Sequence, residues 1–376
     1  MVARLLVGGL LLVALGFCSR DPEVTGPEGP PADSTSNPPP DTSSVEIITK
    51  VIADQLDFPW ELVWGPESKI WFTERPGRIS KLDPETGNIT PLLTINDVYS
   101  VSESGLLGMA IPPDVSKNPY LFVAYTYKKN GQNTLKVVRY NYSEESLTDP
   151  FIVLDDVRGG GIHNGCRLLV AGDKLFITTG DSNDQSLPQN LSSNNGKILR
   201  VNFDGSIPSD NPDPSTPVWS YGHRNAQGLV LANDSLFSSE HGPDTDDEIN
   251  IIHKGANYGW PDVKGECDGN EQEFCDEHHV VPSIKSWTPT IAPSGMEYYS
   301  GDEIPQWKNS LLLCTLKDER LIQLKLNGEG NAIISGKEYF VNAFGRLRDA
   351  CISPSGVVYI CTSNGGDDKI VEIRRK

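Results

Sequence analysis

Cations are scarce in this chain: 32 lysines and arginines stand against 51 aspartates and glutamates, a net charge of -19. That balance argues against nucleic acid as a partner, because phosphate backbones recruit Lys and Arg. It equally disfavours an anionic membrane surface. No Cys-x-x-Cys pair occurs among the 7 cysteines, which removes the usual zinc signature. Long apolar runs are missing too. The segment from Leu5 to Phe17 (LLVGGLLLVALGF) is too short to span a bilayer comfortably. Beyond it, long stretches of helical period are few, so the body of the chain does not read as a helical protein.

What that apolar segment does fit is an export signal. Arg4 precedes it, Cys18 follows it, and Pro-, Ser-, Asp- and Gly-rich sequence continues to about Ser44 with too little apolar content for a core. The order resembles a bacterial lipoprotein signal over residues 1–18, with Cys18 lipidated and residues 19–44 a disordered tether. A plain secretory signal cleaved nearby is the other reading. Either way the mature protein is exported, to the periplasm or the outer surface, and touches membrane only through a lipid on Cys18. Six cysteines remain: Cys166, Cys267, Cys275, Cys314, Cys351 and Cys361. In an oxidising compartment Cys267 and Cys275 are expected to bridge a short loop. Cys351 and Cys361 could face each other across a hairpin, and the count leaves connectivity open.

From residue 45 one pattern returns: an apolar strand, a turn with Gly, Pro or Asp, a β-branched or aromatic strand, then a third strand. It begins at Trp60, Leu106, Gly165, Ala226, Ser294 and Leu347. Short alternating strands bounded by turn residues predict an all-β fold. A repeat of roughly forty to sixty residues with three or four strands each predicts a propeller. The expectation is a six-bladed β-propeller of four-stranded antiparallel blades over residues 45–376. The strand from Val45 to Ala53 (VEIITKVIA) would join the C-terminal blade and latch the ring.

Chemistry is densest between Tyr221 and Pro261, where YGHRNAQGLV, EHGPDTDDEIN and GANYGWP follow one another. Residues such as His223, Arg224 and Asn225 are costly to bury unpaired, and their setting among Gly and Pro suggests a site on loops. Other unusual polar groups flank blade strands: Glu103, His163, Asn164, Asp181, Lys317, Arg346 and Arg348. Blade loops converge on one face of a propeller, so these distant residues could meet.

The motifs HNGCRLL, TTGD, GKILRVNFDGSIPSDNP, YGHRNAQG, EHGPDTDDEIN, GANYGWP, IAPSGM and GRLRD resemble those of the soluble quinoprotein glucose/sorbosone dehydrogenases. That group includes aldose sugar dehydrogenases that use pyrroloquinoline quinone (PQQ) with calcium. The resemblance runs in order from about Phe58 to the C-terminus. It implies oxidation of a sugar at its anomeric carbon, with electrons passed to a respiratory acceptor. By resemblance His163 is the general base, a task suited to a side chain that titrates near neutral pH. Arg224 would stabilise charge on the cofactor oxygens, and Asn225 would hydrogen-bond the cofactor. Lys317, Arg346 and Arg348 match the family's contacts to the carboxylates and the quinone of the cofactor. The i, i+2 spacing of the two arginines places them on one face if the segment is a strand. Gly242 and Pro243 match positions whose carbonyls ligate the site calcium. Asp244, Asp246, Asp247 and Glu248 read as loop braces or solvated groups. A second, structural calcium is expected on the carbonyls of Lys264 and Glu266 and on Asp268.

Three positions depart from the family pattern. Glu103 stands where a glutamine is usual among the cofactor contacts, and a carboxylate there would repel an anionic cofactor unless neutralised. Cys166 replaces a small residue. Of the aromatic residues that flank sugar and cofactor, Trp287 is the expected survivor. Two other functions compete: a calcium-braced propeller that binds without catalysis, and a calcium-dependent propeller lactonase. Neither needs the cluster of cations.

Overall fold

A computed structural model describes residues 44–143 and 146–376. The expected signal, tether and lipidated Cys18 fall outside the described residues, apart from the tether's last residue. The expectation of a six-bladed propeller holds. Six separate four-stranded antiparallel sheets form the blades. Their innermost strands are Pro59–Trp64, Leu106–Ala110, Gly165–Ala171, Ala226–Ala232, Pro293–Tyr299 and Leu347–Ile352. Each packs on the next, and the sixth returns to the first, so the ring is closed.

Closure is by a latch. The strand Ile47–Leu56 pairs antiparallel with Asp368–Arg375, setting Val51 opposite Val371 and Ile47 opposite Arg375. It thus supplies the outermost strand of blade 6 from the other end of the described chain. Between the blades, alternating apolar residues pack face to face, for example Phe122, Leu135, Val137, Leu175, Ile177 and Leu199 between blades 2 and 3. Burial of such side chains is the main favourable term, at roughly 25 cal/mol per Å² of apolar surface.

Every innermost strand breaks register near its start. The irregularities lie between Pro59 and Leu62, Leu106 and Met109, Gly165 and Leu168, Ala226 and Gly228, Pro293 and Met296, and Leu347 and Asp349. A bulge re-aims side chains without ending the strand. Here it frees Trp60, Arg167, Gln227, Ser294 and Arg348 to meet across the channel. The Arg167 guanidinium lies 4.3 Å from the Trp60 ring centroid, and that of Arg348 lies 5.7 Å from it. Arg348 donates to Gln227 at 2.6 Å and to Ser294 at 3.2 Å, and Arg167 Nε donates to the Gln227 carbonyl at 2.8 Å.

Below this layer Arg167 bridges two carboxylates, Glu61 at 2.5 Å and Asp349 at 3.0 Å. A cavity of about 320 Å³ opens beyond them at the other mouth, lined in part by Glu61, Arg167, Glu297 and Asp349. Burial pushes the Glu297 carboxyl up to about 8 from the usual 4.5, and Asp349 adds to the shift. Folding therefore favours the protonated form. Its contribution is fully present below about pH 4.5 and is lost as pH rises through about 8. The expected result is a melting temperature that falls over this window more steeply in the wild type than in Glu297→Gln. Parallel melting curves against pH would contradict it.

The structure corrects one pairing and supports another. Cys267 and Cys275 are disulfide-bonded. Cys351 and Cys361 are buried free thiols: Cys351 lies opposite Tyr359 and Cys361 opposite Asp349. They are diagonal neighbours across the hairpin, and diagonal positions at about 7–8 Å are too far apart for a disulfide.

Candidate active site

Where the innermost strands begin, a cavity of about 540 Å³ sits over the bulge layer. All six blades contribute to it. Phe58, Trp60 and Arg75 come from blade 1, Glu103 and Leu107 from blade 2, and Asn164 and Gly165 from blade 3. Gln227 and His241 come from blade 4, Ala292 and Leu316 from blade 5, and Arg346 and Arg348 from blade 6.

His163 enters from the loop before blade 3, with a left-handed backbone (φ 57°). Gly180 makes room for it: a Cβ there would lie 1.9 Å from the His163 carbonyl oxygen. His163 Nδ1 is 2.8 Å from Asp181 Oδ1. Asp181 also accepts from the Asn183 N–H at 2.7 Å and from Trp260 Nε1 at 2.9 Å. A carboxylate so used is an acceptor, so the imidazole proton sits on Nδ1 and the Nε2 lone pair is left for a ligand. Asp181 is 1 % exposed and His163 8 %. The pair is shielded from competing water.

Arg224 and Asn225 are held through their backbone. The Glu240 carboxylate accepts both N–H groups, the one from Asn225 at 3.1 Å, and Glu240 also binds His223 Nδ1 at 2.9 Å. His223 Nε2 lies 2.9 Å from Ser220 Oγ, but this Ser–His–Glu chain is sealed in the core and His223 stacks on Tyr258. It braces the loop. Arg224 donates to the His241 carbonyl at 3.2 Å and lies over Trp260. Burial lowers the Arg224 pKa, while Asp181, Glu240, Asp247 and Glu103 raise it.

Several polar atoms here have no protein partner. The donors Arg224 Nε, Arg348 Nε, Arg75 Nε and Asn225 Nδ2, and the ring nitrogen His241 Nε2, are all buried and unbonded. Buried polar atoms of this kind cost about 1–3 kcal/mol each unless a ligand satisfies them. Burial lowers the Arg348 pKa to about 10, against the pull of Glu103. Burial also holds His241 down at about 3, with Arg348 and Arg224 adding to the effect. His241 is therefore neutral, and the positive charge of the site rests on arginines.

Most of the expected residues meet here. Glu103, Arg346 and Arg348 line the cavity directly. Asn225 accepts from the N–H of lining Gly165 at 3.1 Å, and Lys317 follows lining Leu316 and bonds Thr290 at 2.7 Å. Arg224, Gly242, Pro243 and Lys264 line a narrow crevice that shares His241 with the cavity. Arg346 and Arg348 do not share a strand face, since Arg346 precedes the strand and Arg348 sits in its bulge, yet both reach the cavity. Glu103 is not an isolated negative charge. It accepts the His163 N–H at 3.1 Å and acts on Arg75, Arg224 and Arg348.

The acidic run braces loops. Asp247 accepts from Gly242 at 2.8 Å, Ile291 at 2.6 Å and Ala292 at 2.7 Å, while Glu248 accepts from Gly265 at 2.6 Å. Burial raises both carboxyls, Glu248 to about 8. Asp246 accepts from Thr288 Oγ1 at 2.9 Å and Asp244 is exposed. Trp287 does not reach the cavity. It packs on the core between blades 4 and 5, and Phe58 and Trp60 supply the aromatic walls instead. Lys264, Glu266 and Asp268 are exposed around the disulfide loop.

Arg75 and Asp181 show what sequence reading missed or undervalued. Arg75 sits in an ordinary turn (TERPG), where only its place in the ring reveals it. Asp181 stood out in TTGD as an unusual polar group, without a partner assigned.

The sequence pattern of the family described as Glucose / Sorbosone dehydrogenase matches residues 56–372. Quinoprotein glucose dehydrogenase B of Acinetobacter calcoaceticus is 30% identical over 85% of this chain and 86% of its own length. Aldose sugar dehydrogenase YliI of Escherichia coli is 30% identical over 86% of this chain and 91% of its own. Among solved structures, the PQQ-bound form of aldose sugar dehydrogenase from Streptomyces coelicolor superimposes with a TM-score of 0.76 at 33% identity, covering 88% of this chain and 99% of that one. A match over nearly the whole propeller places this chain in the glucose/sorbosone dehydrogenase family, as a sugar dehydrogenase of that group.

Proposed function

We propose that this chain is an exported quinoprotein that oxidises aldoses at the anomeric carbon to lactones, with PQQ as hydride acceptor and calcium beside it. The observation that carries the reading is a cavity ringed by arginines with unmet N–H donors, next to a histidine whose Nε2 is free. When bound, PQQ supplies a two-electron quinone and calcium a Lewis acid for its carbonyl.

The chain's own residues do the rest. His163 Nε2 takes the proton of the anomeric hydroxyl, and Asp181 stabilises the imidazolium that results. Arg224 and Asn225 Nδ2 present donors to the cofactor oxygens. Arg346, Arg348 and Lys317 hold carboxylates, the arginines with forked geometry. Neither the Gly242 nor the Pro243 carbonyl accepts a hydrogen bond from the described residues, so both are free to face a hard cation. The same is true of the Lys264 and Glu266 carbonyls, which with Asp268 would hold a second calcium. Among the described residues no group of three or more His, Cys, Asp or Glu is arranged for a metal, so the two calcium sites would rest on these carbonyls, with Asp268 the one carboxylate. Export agrees with the Cys267–Cys275 disulfide, which needs an oxidising compartment.

Reconstitution tests the whole. The purified protein should gain dye-reducing activity toward several aldoses only with PQQ and calcium together, with two calcium ions bound per chain. Failure to bind PQQ would leave the non-catalytic binding propeller as the better reading. Bound PQQ with one calcium would remove only the second metal site.

A further inference from the structure

Arg75 follows the strand Ile70–Glu74 of blade 1 and lines the same cavity as Arg346 and Arg348. Its backbone is fully used, with the N–H donating to the Phe58 carbonyl at 3.1 Å and the carbonyl accepting from Leu106 at 2.9 Å. Its guanidinium is not. It lies 4.5 Å over the Phe58 ring, makes no ion pair or side-chain hydrogen bond with a described residue, and has a buried Nε with no partner. Burial lowers its pKa, and the charges opposing that are Glu103 first, then Asp57 and Asp368.

A half-buried guanidinium with idle donors is costly unless it is completed by something else. Contact with the Phe58 ring restrains it, which reduces the orientational freedom a ligand would otherwise have to freeze. The planar fork selects an oxyanion, and carboxylate is its best geometric match. Glu103 lies close enough to act on it electrostatically, but spends a hydrogen bond on the His163 N–H instead. The fork is left open toward the cavity.

We propose that Arg75 is a carboxylate-binding residue of this cavity, with Glu103 as its resting counter-charge. Two sources could supply the carboxylate: the tricarboxylate cofactor, or an acidic aldose such as a uronic acid. The cofactor source rests on the proposed function; the carboxylate site itself does not.

The test uses the full chain without added cofactor, and titrates benzene-1,2,4-tricarboxylate and D-glucuronate into the wild type, Arg75→Gln and Arg75→Lys by calorimetry. Arg75→Gln is expected to weaken at least one of these probes by ~10- to 100-fold, with Arg75→Lys recovering part of the loss. Melting temperatures check that both variants are folded. Titration of PQQ, and KM for glucose against glucuronate, then separate the sources. Weaker PQQ binding with the glucose KM unchanged assigns Arg75 to the cofactor. Unchanged PQQ binding with a glucuronate-specific rise in KM assigns it to the substrate. Equal affinities of folded wild type and Arg75→Gln for both probes would overturn the proposal, as would a wild type that binds neither. A wild type that binds the tricarboxylate but not PQQ would overturn the proposed function and leave Arg75 standing.

Discussion

Replacing His163 by alanine is expected to lower kcat for aldose oxidation by ~10²- to 10⁴-fold, the range a positioned general base supplies. Cofactor affinity should change little, because Arg224, Asn225, Lys317, Arg346 and Arg348 are untouched. The geometry makes the prediction specific. Asp181 accepts a hydrogen bond from Nδ1–H at 2.8 Å and is itself fixed by Trp260 and Asn183, so Nε2 is the basic atom. Asp181→Asn should then act through the histidine. Its amide could donate to Nδ1 and favour the other tautomer, lowering kcat while the glucose KM stays close to the wild type. Stopped-flow reduction of the loaded enzyme by glucose, with binding of the cofactor measured separately, gives both quantities. A His163→Ala enzyme that binds PQQ and turns over at the wild-type rate would remove His163 from the chemistry.

The second large effect is on stability. Arg167 is 3 % exposed and is the cation between Glu61 and Asp349. Burial pushes both carboxyls up, while both carboxylates push Arg167 up. These directions disagree about which partner yields. An arginine does not give up its proton in a protein, so the carboxyls are the groups that adjust. Each also holds the backbone of a neighbouring strand: Glu61 accepts from Met109 at 3.3 Å and Asp349 from Leu62 at 2.7 Å. Arg167→Met leaves these acids buried without their cation, an error worth about 3–5 kcal/mol. Chemical denaturation should show a fall of that size. The triple variant Arg167→Met, Glu61→Gln, Asp349→Asn should recover much of it, because no buried charge is then stranded. A single variant as stable as the wild type would mean that water already screens the cluster.

How much of this was legible in sequence differs by feature. The six repeats and the latch were readable because a strand is a local pattern of alternation and turns, and each blade carries its own copy. The site residues within YGHRNAQG and GRLRD were readable as motifs. Their contacts were not. Arg346 and Arg348 looked like two residues on one strand face, and a bulge between Leu347 and Asp349 undid that spacing while still delivering both to the cavity. Glu103 looked like a flaw because a carboxylate there would repel an anionic cofactor; Arg75, Arg224 and Arg348 come to it from blades 1, 4 and 6. Cys351 and Cys361 looked like a pair, and the true register set them on a diagonal.

The sequence alone thus determined the architecture and the family, since strands, turns and motifs are written within a few tens of residues. Tertiary structure decided the rest: which nitrogen of His163 is free, which arginines lack partners, and which side chains meet across the channel. Those outcomes depend on ring closure, which brings Asp349 to the N–H of Leu62 across 287 residues. No local pattern encodes a contact at that separation; it exists only once all six blades are in place.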